Sequence, residues 1–130
     1  MKTPRWIDRR ALLLLQEETL AEHGGLRGLR DEGLLDSALA RPQHLHHYEA
    51  KADMARLAAA YGFGLVRNHA FNDGNKRVGF LAIGLFLALN GYELKADPVK
   101  AIQIILQLAA GELSELKLAG WIRECIVRQR

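Results

Sequence analysis

A chain of 130 residues in which 49% are hydrophobic and 25% charged has enough apolar material for one domain around one core, and no disordered or low-complexity tail. Its net charge of +3 is mild, and the cations are scattered without an aromatic platform among them, which argues against a dedicated nucleic-acid surface. The single cysteine, Cys125, rules out an intrachain disulfide and a thiolate-built metal site, so a buried, unreactive thiol in a helix is expected.

Helix signals run through the chain. Asp8 is placed to cap a first helix carrying Leu12, Leu15, Thr19 and Leu20 on one face, which stops at Gly24 and Gly25. Residues 24–30 hold three glycines and two arginines, a turn-rich connection. Asp31 caps a second, shorter helix through Leu34, Leu35, Ala38 and Leu39, and Pro42 is expected to end it. Residues 43–51 then read as a polar loop or short hairpin. Its His44, His46 and His47 have no acidic or thiol partner at a fitting spacing, so a solvated loop is the expectation and not a metal site.

Asp53 caps a third helix, from 54 to about 67, whose Ala55, Ala58, Ala59 and Ala60 permit close helix–helix approach beside Leu57, Tyr61 and Leu65. A polar loop follows, and then a chargeless run at 78–89 that reads as a buried central helix stopping at Asn90 and Gly91. Tyr92, Glu93 and Leu94 are briefly extended. Asp97 and Pro98 open another helix, ending near Gly111, and Ser114 caps the last, with Leu116, Leu118, Trp121, Ile122 and Ile126 apolar. The expectation is an all-α fold, one domain over 1–130, of about six helices around a buried central helix. The chargeless run is well short of the roughly 20 residues needed to cross a bilayer, and residues 11–15 are too short an apolar run for a secretory leader. A cytoplasmic protein without membrane contact is therefore expected.

The chemistry concentrates in His69-Ala70-Phe71-Asn72-Asp73-Gly74-Asn75-Lys76-Arg77. Asn75, Lys76 and Arg77 fall in the first turn of the helix after the loop. The first backbone N–H groups of a helix lack intrahelical partners and carry the positive end of its dipole, which attracts phosphates. Gly74 permits a tight or left-handed backbone and close approach of a ligand. Lys76 and Arg77 add two full charges, Arg in a bidentate fork and Lys as a point charge.

A carboxylate beside such a cradle repels phosphates unless a cation sits between them, so Asp73 reads as a Mg²⁺ ligand, with capping of the helix as the alternative. His69, four residues earlier, is of the residue type most often used as a general base at neutral pH, with a structural role holding the loop as the alternative. Phe71 anchors the loop in the core, and Asn72 faces solvent or bonds the loop backbone. No nucleophile is evident in the chain, which points to an external hydroxyl. These residues make a phosphoryl- or nucleotidyl-transfer site. It is not a Walker P-loop, because the glycine spacing differs and no Ser or Thr follows Lys76. The catalytic-loop motif of ordinary protein kinases is missing too.

The nine residues resemble the signature of the Fic/Doc family, and the layout of Gly24, Gly25, Gly28, Arg30, Asp31, Asn90 and Gly91 is similar to its Doc branch of toxin–antitoxin toxins. The resemblance implies that His69 is the catalytic base, that Asp73 holds Mg²⁺, and that Asn75 and Arg77, with the Gly74 and Asn75 backbone, hold the phosphates of ATP. Where Fic adenylyltransferases carry a small glycine, this chain has Lys76. A lysine there implies a reversed nucleotide that presents its γ-phosphate, hence a protein kinase acting on a threonine of elongation factor Tu. Phe80 stands where the Fic branch has a second arginine, which also favours a kinase, whereas Gly74 is the Fic choice. A Fic-type AMP-transferase and a catalytically inactive nucleotide- or partner-binding domain are the alternatives. The internal inhibitory motif is absent: Thr19 is followed four residues on by His23, and Ser114 by Leu118. The resemblance therefore implies restraint by a separate Phd-like antitoxin that folds on binding.

Overall fold

Five helices begin on the caps expected of them. Asp8, Asp31, Asp53, Asp97 and Ser114 each sit in extended backbone and accept a hydrogen bond from an N–H two or three residues further on. A computed structural model describes residues 3–129. In chain order it contains α1 (Arg9–His23), α2 (Glu32–Tyr48), α3 (Met54–Asn68), α4 (Asn75–Leu89), β1 (Tyr92–Leu94), α5 (Pro98–Ala109), α6 (Glu115–Cys125) and β2 (Ile126–Arg128).

The axis of the domain is α3. Leu57, Ala58, Ala59, Ala60, Tyr61 and Val66 have no exposure, and the helix packs against α2, α4, α5 and α6. Glycine makes the α3–α4 approach close: a Cβ on Gly62 would overlap Ile83, and one on Gly79 would overlap Val66. The chargeless α4 buries Val78, Ala82, Ile83, Phe86 and Leu87 against it. Phe80, Leu81, Gly84 and Leu85 on the other side of α4 are only half-buried. At the far end of α4, Phe86 meets the Tyr61 ring at 5.1 Å between centroids and stacks on Trp6 at 5.9 Å. The N-terminal segment is tied there by two further contacts. Tyr61 Oη accepts from the Ile7 N–H at 3.0 Å, and the Asn90 side chain pairs with both backbone groups of Arg5 at 2.8 and 3.0 Å.

Two expectations are corrected. Pro42 does not end α2; the helix continues to Tyr48, and residues 43–48 are helical where a loop was expected. Pro42 lacks only the N–H that would bond the Ala38 carbonyl, and its ring is buried in the stripe Leu35, Ala38, Pro42 and Leu45, so packing offsets the lost bond. His46 is accordingly no solvated loop residue but packs edge-on against Trp6 at 5.7 Å, while His44 and His47 are exposed. Ile126 does not extend α6 either. It opens β2, which pairs antiparallel with β1 in the register Tyr92 with Arg128 and Leu94 with Ile126. Among the described residues this ribbon is the one sheet in an otherwise helical domain, and no helix among them is long and apolar enough to cross a membrane.

Candidate active site

The loop between α3 and α4 is braced from both ends. At its start, His69 is the C-cap of α3 in the left-handed region (φ 52°, ψ 49°), the one non-glycine residue there among those described. At its end, Gly74 is the N-cap of α4, also left-handed (φ 82°, ψ 9°). Between them Phe71 is buried and 2% exposed, as expected of an anchor.

The loop is also held by the glycine-rich connection of residues 24–31. Leu29 and Phe71 form an antiparallel bridge, and the Asn72 N–H donates to the Gly28 carbonyl at 3.1 Å. The Asn72 side chain bonds the Arg27 carbonyl at 2.9 Å, the backbone-bonding role expected of it. The Arg30 and Asp31 N–H groups both reach the Ala70 carbonyl, at 2.8 and 3.0 Å, and the Arg30 guanidinium donates to the His69 carbonyl at 2.7 Å. From beneath, the buried Gln16 of α1 donates to the Asp73 carbonyl at 3.4 Å.

Capping of α4 by Asp73 is overturned. One of its carboxylate oxygens, Oδ2, accepts from the Leu26 N–H at 2.6 Å, and α4 begins on Gly74 with no side-chain cap. A side chain turned back onto the glycine loop cannot also reach the first N–H groups of α4. The carboxylate remains exposed, so a cation can approach it. No cluster of three or more His, Cys, Asp and Glu exists among the described residues. A hard cation at Asp73 would therefore complete its shell with water and phosphate oxygens, as Mg²⁺ does.

Asn75 is 8% exposed, and its side chain is committed to the loop: Oδ1 accepts from the Phe71 N–H at 3.0 Å, and Nδ2 donates to the Phe71 carbonyl at 2.9 Å. Its backbone N–H remains for an anion. Lys76 and Arg77 are exposed and make no ion pair among the described residues, and His69 is exposed beside them in sequence.

A cavity of about 640 Å³ opens at this helix start. Gly74, Asn75, Lys76 and Arg77 line one end, and Phe80 with Ala101, Ile102, Ile105 and Leu106 the other. Its volume is that of a small-molecule site, polar at one end and apolar at the other. His69 and Asp73 are not in its walls; they sit on the loop outside its polar end. Phe80 contributes an aromatic ring to the cavity wall. Cys125 plays no part. It is half-buried at the end of α6, and burial, with the nearby Glu124 charge, pushes its thiol pKa up.

Arg30, Leu26 and Gln16 are the site-building residues that spacing did not single out. Arg30 entered only through the family-like layout of the glycine connection, and Leu26 and Gln16 not at all, because their contacts with the loop span 39, 47 and 57 residues.

A sequence model of the Fic/DOC family matches residues 6–87. The chain is 32% identical over 119 residues to a protein of Escherichia phage P1 named protein kinase doc, covering 92% of this chain and 94% of that one. It is 47% identical over 75 residues to a protein of Mycolicibacterium smegmatis named toxin Doc, covering 57% of this chain and 58% of that protein.

Proposed function

The chain belongs to the Fic/Doc family, and from that premise we propose that it is the toxin of a toxin–antitoxin module, a Mg-ATP-dependent protein kinase. It transfers the γ-phosphate to a Ser or Thr hydroxyl of a translation protein, elongation factor Tu, and so stops translation in the cytoplasm. The observation that carries this reading is the start of α4. It has no side-chain cap, begins on a left-handed glycine, and opens onto the cavity beside Lys76 and Arg77, which make no ion pair among the described residues. The other five helices are capped by Asp or Ser. Uncapped N–H groups, the helix dipole, Lys76 and Arg77 all favour a polyphosphate.

In this reading the Asn75, Lys76 and Arg77 N–H groups and the Lys76 and Arg77 side chains bind and orient the phosphates. Asp73 holds Mg²⁺, which neutralises charge on them when bound. The apolar end of the cavity takes the base and excludes water there. His69 accepts the proton of the target hydroxyl as its oxygen bonds to phosphorus and the bond to the leaving diphosphate breaks; the proton then passes to solvent. Lys76 fills the place beside the glycine start and so sets which phosphate is presented. The exposed Val99, Ile102 and Leu106 of α5 extend the apolar end of the cavity outward and suit a Phd-like antitoxin segment that folds on binding.

Gly74 supports a second reading, AMP transfer, since a residue without a side chain leaves the helix start open to an α-phosphate. ATP labelled at the γ- or the α-phosphate separates the two with elongation factor Tu as acceptor. Transfer of γ-label and its loss in His69→Ala are expected. Transfer of α-label moves the assignment to AMP transfer. A His69→Ala variant that keeps full toxicity refutes the base role and leaves a domain that only binds.

A further inference from the structure

Helix α3 ends in an unusual way. Each of the other five helices has a cap residue whose N–H bonds back to a carbonyl of its last turn. The cap of α3 is His69, which makes no such bond and takes the left-handed conformation that a β-carbon disfavours. The last carbonyls of this helix carry the negative end of its dipole and need donors.

Arg30 supplies them. Its Nε donates to the His69 carbonyl at 2.7 Å and its Nη2 to the Asn68 carbonyl at 3.2 Å, while its backbone N–H takes the Ala70 carbonyl at 2.8 Å. One residue thus holds three successive carbonyls around His69. Arg30 is itself anchored, because its neighbour Asp31 caps α2 by accepting from the Leu34 N–H at 3.0 Å. The preceding Leu29 bridges to the buried Phe71. Arg30 is exposed, so its contacts add little to the core, and among the described residues its side-chain bonds go to the backbone on either side of the His69 Cα.

We propose that Arg30 is a positioning residue for His69: its guanidinium fixes the left-handed turn at the end of α3 and so sets where the base stands relative to the α4 phosphate site. The planar guanidinium holds its two donors in fixed directions toward two adjacent carbonyls, whereas a lysine presents a point charge on a flexible stem and would hold them less firmly. This rests on His69 being the base, as proposed above. A base displaced by about 1 Å loses on the order of 100-fold in rate without any change in what binds the nucleotide.

The test compares wild type, Arg30→Ala, Arg30→Lys and His69→Ala in γ-label transfer, with Mg-ATP affinity by calorimetry and the His69 imidazole signal followed by NMR. Arg30→Ala is expected to lower kcat about 10- to 100-fold at unchanged Mg-ATP affinity, to shift or broaden the His69 signal, and to be partly rescued by Arg30→Lys. The proposal is overturned if Arg30→Ala keeps kcat within about twofold and leaves the His69 signal in place, or if kcat and Mg-ATP affinity fall together. Should Arg30→Ala fail to fold, Arg30→Lys decides: wild-type kcat with an unmoved His69 signal overturns the proposal. If His69→Ala itself retains full transfer, the base assignment has failed. The NMR signal still reports whether Arg30 sets the imidazole's position.

Discussion

Asn75→Ala separates a loop brace from a phosphate ligand. The Asn75 side chain bonds both backbone groups of Phe71, and neither residue is more than 8% exposed. Truncation leaves the Phe71 N–H and carbonyl unpaired out of reach of water. Each such group costs about 1–3 kcal/mol, so the pair is worth about 2–4 kcal/mol after partial relaxation. That is a large share of the roughly 5–15 kcal/mol that holds a domain folded. With an unfolding entropy of about 2.1 cal/mol/K per residue, 130 residues give about 0.27 kcal/mol/K, and the melting temperature should fall by about 7–15 °C.

Thermal unfolding followed by circular dichroism measures the loss, and calorimetry with Mg-ATP measures binding. Asn75→Asp keeps the acceptor for the Phe71 N–H and places a carboxylate at the α4 N-terminus, where the dipole favours it. It should bind Mg-ATP more weakly, because the new charge opposes the phosphates, and it restores at most one of the two bonds, because its second oxygen faces the Phe71 carbonyl in place of the amide donor. If Asn75→Ala melts within about 2 °C of wild type and loses only nucleotide affinity, the bracing argument is wrong and the side chain is a phosphate ligand.

Two further predictions concern the frame. Tyr61→Phe leaves the buried Ile7 N–H without its acceptor and should cost about 1–3 kcal/mol in chemical denaturation; an unchanged midpoint refutes that contact. The Arg123 guanidinium holds the Asp53 carboxyl below the ordinary carboxylate range, outweighing the opposing effect of burial. Because the folded pKa lies below the unfolded value of about 3.9, the stabilisation is full above that pH and is lost as pH falls through the folded pKa. Both side chains are about half exposed, so screening reduces the effect to about 0.5–1 kcal/mol. Asparagine keeps the cap of α3, so Asp53→Asn should melt below wild type at pH 7, and the gap should narrow as pH falls below the unfolded value; an offset that does not change with pH refutes the pairing.

The legible part of this protein was local. Each of Asp8, Asp31, Asp53, Asp97 and Ser114 acts on an N–H two or three residues away, so spacing alone placed five helix starts. Gly74 followed by Asn75, Lys76 and Arg77 likewise marked the start of α4, which begins on a left-handed glycine with no side-chain cap and has two cations in its first turn. Pro42 misled because its local effect is one lost hydrogen bond, which does not stop a helix whose buried face includes the proline ring. Ile126 misled because its apolar spacing continues that of α6, while its strand partner, Leu94, lies on β1. The site divides in the same way. The residue types of His69, Asp73 and Asn75 were plain in the sequence. Only the folded chain shows that Asp73 turns to Leu26, that Asn75 braces Phe71, and that Arg30 grips the carbonyl of His69. The Leu26 and Arg30 contacts close loops of 47 and 39 residues that contain α2 and α3, so they depend on how those two helices pack and not on local spacing.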